Sequence, residues 1–214
     1  MLLGYGHDDR VCAYASLRAI LSLEEEPEYT CCCLLADKEE IGSVGATGMQ
    51  AHYFENAMAE LVNLTYDQYS ELTLRRALAA CRMLSCDVSA GFDPLYASAF
   101  EKKNAAILGN GVCYNKFTGA RGKSGSNDAN AEFIGRLRKI MDDNGVNWQT
   151  AELGKVDVGG GGTIAYICAL YGMEVIDSGV PVLSMHAPQE IINKADLYEA
   201  VKAYTAFMRQ AARG

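Results

Sequence analysis

Four prolines, three histidines and a single tryptophan are all that 214 residues hold of those types. With so little proline and half the residues apolar, the chain is neither collagen-like nor disordered, and the same balance excludes a coiled coil. Long apolar runs are missing too: none approaches the roughly 20 residues that span a bilayer. The opening Met1-Leu2-Leu3-Gly4-Tyr5-Gly6-His7-Asp8 has no basic stretch, no extended apolar segment and no small-residue cleavage site, so it does not read as a secretory signal. Positive charge is scarce, with 19 Lys plus Arg against 27 Asp plus Glu and a net charge of −8. A nucleic-acid or membrane partner is therefore not expected. What remains is enough chain for one sizeable α/β domain over residues 1–214.

Cysteine is plentiful, with eight in the chain, but no C-x-x-C pair occurs. A disulfide framework or a structural zinc site fits poorly, and Cys31-Cys32-Cys33 reads as small hydrophobes within an apolar run. The expected location is the cytoplasm.

Apolar runs alternate with amphipathic stretches, the pattern of βα units around a largely parallel sheet. Helices are expected over Arg10–Leu23, His52–Val62, Leu72–Ala80, Gly162–Tyr171 and Asp196–Ala212, the last facing inward through Leu197, Val201, Tyr204 and Met208. A further helix, capped by Ser126, carries Phe133, Leu137, Ile140 and Met141 and stops at Asn144-Gly145. Strands are expected at Thr30–Ala36 (buried on both faces), Arg82–Cys86, Val146–Ala151 and Val175–Met185, and about the Gly109-Asn110-Gly111 turn within Ala105–Tyr114.

In open α/β sheets, sites gather at the carboxyl ends of strands. There the sequence places Glu39 and Glu40 after one strand, Asp87 after another and His186 after a third, with Asp8 just before the first helix. Hard oxygen donors with an imidazole suit Zn²⁺, Mn²⁺ or Co²⁺, and scattered single ligands mark catalytic rather than structural metal sites. Each residue has an ordinary reading as well: Asp8 as a helix cap, Glu39-Glu40 as a solvated turn, Asp87 as a loop acid, His186 as a polar group at a sheet edge.

Three segments, Gly6-His7-Asp8-Asp9-Arg10-Val11-Cys12, Ala36 through Ser43, and Gly154 through Thr163 with Met185-His186-Ala187-Pro188, closely resemble the aspartyl aminopeptidase/aminopeptidase I family of co-catalytic dizinc exopeptidases. Cys86 through Pro94 and Gly122 through Asn130 match its bacterial branch, and the order of segments is kept along the whole chain. The resemblance implies a mixed, largely parallel sheet flanked by helices, in the phosphorylase/hydrolase-like architecture of zinc exopeptidases. It implies Asp8 as the carboxylate bridging two Zn²⁺ ions, with Co²⁺ or Mn²⁺ as substitutes. Glu40 and His186 become ligands of one metal and Asp87 of the other, with Glu39 as the general base acting on a water between them. Such metals lie roughly 3.5–4 Å apart and polarise water and carbonyl together. Glu39 and Glu40, being neighbours, can both face the site only where the strand has already ended.

The implied substrate is a peptide with a free N-terminus, and the implied full-length assembly is a homo-oligomer. Gly159-Gly160-Gly161-Gly162-Thr163 runs into a helix but lacks phosphate-loop spacing, so by resemblance Gly160, Gly161, Gly162 and Thr163 let substrate backbone approach, with Lys155 and Asp157 beside them. An acidic substrate side chain needs a cation, for which Lys116, Arg121 and Lys123 are candidates by position. Members that prefer aspartate carry a histidine three residues after the metal-binding aspartate, where Ala90 stands here. The family's second metal-binding histidine lies in a His-x-Asp segment well before the bridging aspartate, and neither His7 nor His52 matches it. Family members are about twice this length, so two readings stand: part of a metalloaminopeptidase, or a catalytically incomplete unit of fold and assembly. A third, another dimetal amidohydrolase, would not require a free α-amino group.

Overall fold

The computed structural model describes residues 1–121, 124–155 and 160–211. Strand β1 (Leu2–Gly4) leads into helix α1 (His7–Leu21), and a 3₁₀ turn at Glu39–Ile41 precedes α2 (Tyr53–Thr65) and α3 (Glu71–Ala79). Strands β2 (Arg82–Cys86), β3 (Ser89–Ala90), β4 (Val112–Asn115), β5 (Phe117–Ala120) and β6 (Ser124–Asp128) follow, then α4 (Ala131–Asp143) and β7 (Trp148–Thr150). Helix α5 (Ala165–Ala169), strands β8 (Glu174–Gly179), β9 (Pro181–Leu183) and β10 (Glu190–Ile192), and helix α6 (Lys194–Gln210) complete the order.

A sheet of order β2-β8-β4-β7 has two parallel pairings and one antiparallel, β4 with β8. A second sheet, β1-β10-β9-β3, is antiparallel apart from β3–β9, and β5 and β6 form a hairpin. The architecture is α/β with mixed sheets flanked by helices. Strand alternation sorts β8 onto two layers. Ile176 joins a core of α1, α4 and α6 with Phe133, Leu137 and Tyr204, while Val175 faces a core of α2, α3 and α5 with Leu74, Leu78 and Ile167. Burial of Ile176, 1% exposed, contributes about 1.5–3 kcal/mol.

Several elements differ from the sequence reading. Thr30–Ala36 forms no strand: no described residue ladders with it, while Leu34 and Ala36 pack on the core of α2, α3 and α5 and the Cys31 thiol meets Met208 O of α6 at 3.3 Å. Apolarity licensed a buried strand there, but a strand needs a partner. Only Val112–Asn115 of the 105–114 segment is a sheet strand, because the Gly109 and Gly111 amides donate to the buried Asp196 carboxylate of α6, each at 2.8 Å. Ser126 lies inside β6, and Asn130 takes the N-cap of α4. Helix α5 is shorter than expected, and the 146–151 strand shrinks to β7. Along α6, Ala200, Ala203 and Tyr204 are the buried stripe, while Leu197, Val201 and Met208 pack at its margins.

Candidate metal centre

Asp8 and Asp9 lie in the first turn of α1 but hold non-helical backbone angles, and the peptide bond between them is cis. Regular helix therefore starts after them. Glu39 and Glu40 stand in the 3₁₀ turn, entered by Lys38 at φ 65° and left by Gly42 at φ 90°. The segment is already out of extended backbone at this point. Asp87 follows β2, and its amide donates to Ser178 O of β8 at 3.1 Å. His186 follows β9 in a turn where Ser184 and His186 take φ 58° and 65°.

Two groups of donor atoms result, each with members within 4.8 Å of one another: Asp8, Glu40 and His186, and Asp8, Asp9 and Asp87. Asp8 belongs to both. His186 Nε2 lies 3.0 Å from Asp8 Oδ2 and 3.2 Å from Glu40 Oε2, while the Asp8 side chain is only 6% exposed. Burial, and next the Glu40 charge, raise the Asp8 carboxyl to about 7. Burial lifts Asp9 to about 8, with Asp8 adding to it. Asp87 is also raised well above its ordinary value by burial, then by Asp9 and Asp8. Glu39 is raised by burial and by Glu40, and its charge in turn acts on Asp9 and Asp87, so it stands within electrostatic range of both groups.

This donor set fits a pair of divalent cations. The oxygens are hard, one imidazole is present, and Asp9 Oδ1 is buried without a hydrogen-bond donor. Carboxyl groups packed this closely repel one another unless protonated or compensated by positive charge. Asp8, Glu40 and His186 can hold one ion; Asp8 and Asp87, joined by Asp9, can hold another.

The remaining predicted residues are placed as follows. The glycine segment packs on the β5–β6 hairpin, with the Gly119 amide donating to Gly161 O at 2.9 Å, and at Gly160 (φ 114°) an added Cβ would lie 2.8 Å from Gly119 O. Gly162 lies against Gly125. Thr163 Oγ1 donates to Asp177 Oδ1 at 2.5 Å, and Thr118 Oγ1 donates to Oδ2 at 2.8 Å. Asp177 in turn acts electrostatically on Asp87 and Glu39. Lys116 pairs with Asp128 on the hairpin rather than with either donor group. Arg121 is exposed, His52 pairs with Glu55 at 2.9 Å, and Gly122, Lys123, Asp157 and Gly159 lie outside the described residues.

Asp9, Asp177 and Glu190 escaped the sequence reading. Asp9 carried a signal in the Asp8-Asp9 doublet, and Asp177 in being a charge inside an apolar run. Glu190, among Ala187-Pro188-Gln189, carried none.

The family described as aminopeptidase I zinc metalloprotease (M18) matches residues 1–208. A probable M18 family aminopeptidase 1 of Clostridium acetobutylicum is 59% identical over 97% of this chain and 44% of its own length. The crystal structure of an M18 family aminopeptidase from Thermotoga maritima is 46% identical, covering 97% of this chain and 46% of that one, with a TM-score of 0.93. The mApe1 dodecamer of S. cerevisiae, 20% identical over 98% of this chain and 46% of its own, shares the fold at a TM-score of 0.77. The chain thus spans less than half the length of the relatives it matches. Among the described residues, no helix is long and apolar enough to cross a membrane. On the match over residues 1–208 and the likeness in both sequence and structure, the chain belongs to the aminopeptidase I (M18) family of zinc metalloproteases.

Proposed function

We propose that residues 1–214 are the C-terminal portion of the catalytic domain of a metal-dependent aminopeptidase, which removes N-terminal residues from peptides in the cytoplasm. One observation carries the reading: Asp8 is shared between two acidic donor groups, one of which includes His186. Asp8, Glu40 and His186 would hold one Zn²⁺, and Asp8 with Asp87 the other. When bound, the ions supply Lewis acidity toward water and the scissile carbonyl. Glu39, outside both donor groups and raised above the ordinary carboxylate range, takes the proton from the attacking water and returns it to the leaving amine. Gly160, Gly161, Gly162 and Thr163 form the wall along which the peptide backbone lies. Thr163 is fixed there by Asp177. Lys116, engaged by Asp128, would have to release that partner to meet an acidic substrate side chain. Homo-oligomerisation of the full-length protein follows the dodecamer found for the S. cerevisiae relative.

Metal analysis tests the reading. The full-length protein, dialysed against excess Zn²⁺, is expected to retain two equivalents, and its Asp8→Ala variant to lose both. Full retention of either ion by that variant would overturn the shared role of Asp8.

A further inference from the structure

The Glu190 carboxylate is 2% exposed, at the first position of β10, where it pairs in register with Gly4 of β1. Its two oxygens are divided between two amides. Oε2 accepts the Asp8 N–H at 3.0 Å, and Oε1 accepts the His186 N–H at 2.8 Å. Those same two residues meet again through their side chains, His186 Nε2 to Asp8 Oδ2 at 3.0 Å. The result is a closed ring: backbones joined through one carboxylate, donor atoms facing one another across the other side.

Among the described residues no Lys or Arg pairs with Glu190, and Arg10, which lines the same cleft, directs its guanidinium to Tyr5 O. The turn that Glu190 secures is a demanding one, because Ser184 and His186 both lie in the left-handed region without being glycine. Such backbone is unfavourable for a residue with a Cβ and persists where its surroundings hold it. Charge-assisted bonds from a carboxylate to backbone amides are strong enough to do so.

We propose that Glu190 is a positioning residue for the metal centre, setting the separation and orientation of Asp8 and His186 through their backbone amides. The inference rests on the reading of those two residues as ligands. A glutamine at 190 has the same size but only one oxygen for two amides, and its NH₂ would face a donor in a buried space. Groups that orient metal ligands typically change metal affinity about 10–100-fold.

Co²⁺ titration of the chain, followed by its visible absorption bands, tests this. Glu190→Gln is expected to weaken binding at the Asp8–Glu40–His186 position by about 10–100-fold and to shift the bands. Its far-ultraviolet circular dichroism should match the unsubstituted chain. Should that variant not fold, Glu190→Asp, which keeps a carboxylate one methylene short, is read by the same criterion. No Co²⁺ binding by the unsubstituted chain would overturn the ligand reading, and this inference with it. Unchanged affinity and bands in a folded variant would overturn the role of Glu190 alone. Failure of both variants to fold would overturn it too, making the carboxylate a determinant of the fold.

Discussion

Asp8 belongs to two donor groups, so proton binding there competes with both. In the metal-free protein Asp8 and Asp9 hold their protons up to about 7 and about 8, against an ordinary value of 3.8. A raised carboxyl favours the folded state while protonated, and that advantage is lost as pH climbs through the folded-state values. The unfolding midpoint of the chelator-treated chain should therefore fall as pH rises from about 4 to about 8 and level off above that, and saturating Zn²⁺ should remove most of the fall. A midpoint that rises with pH in chelator would contradict this. Glu39→Gln makes a complementary prediction for the full-length enzyme. Metal content should stay near that of the parent while peptide hydrolysis drops by at least about 10²-fold, the scale of general acid–base catalysis. Loss of metal would instead make Glu39 a ligand. Glu39, Glu40, Asp87 and His186 were legible because each follows a strand-like run. Glu190 was not, because its role is given by two backbone amides, and sequence patterns carry only side chains.

Elements bring these residues together through a close approach at the end of β8. A Cβ on Gly179 would lie 1.6 Å from the Asp87 carbonyl oxygen and 3.1 Å from Val88 Cα. Only a residue without a side chain lets β8 pass the segment that carries Asp87. Gly179→Ala should cost about 1–3 kcal/mol in chemical denaturation. It should also displace Asp87 enough to lower metal content toward one equivalent. An alanine variant with parental stability and two equivalents would refute the steric argument. Most helices and the β2 and β8 strands were readable from periodicity, since α4 and α6 present regular apolar stripes. The 105–111 segment and Ser126 were misread for another reason: Asp196 captures turn amides from 85 residues away, and Ser126 lies within β6, which pairs with β5. Such long-range partners leave no local trace.

At the scale of the molecule, the Thr30–Ala36 run is an apolar segment that forms no strand among the described residues. It carries Leu35 at 55% exposure. Unpaired apolar backbone of this kind is a template for self-association. Leu35→Lys should lower the light scattering of concentrated protein while changing stability by no more than about 0.5 kcal/mol, as expected for a surface position. Equal scattering by the variant would place the sticky surface elsewhere. The α/β class and the family were readable from the whole sequence. The missing ladder at 30–36 was not, because pairing is a property of two segments and apolarity describes only one of them.

One hydrogen bond, Asp8 to Glu190, joins residues 182 positions apart. Nearly all of the chain lies inside the loop that this bond closes. Closing so long a loop costs chain entropy that the folded structure must offset at this point. A cation held by Asp8 and His186 would join the same two ends of that loop. Metal occupancy would then couple the first turn of α1 to the turn before β10, and through them the two ends of the chain.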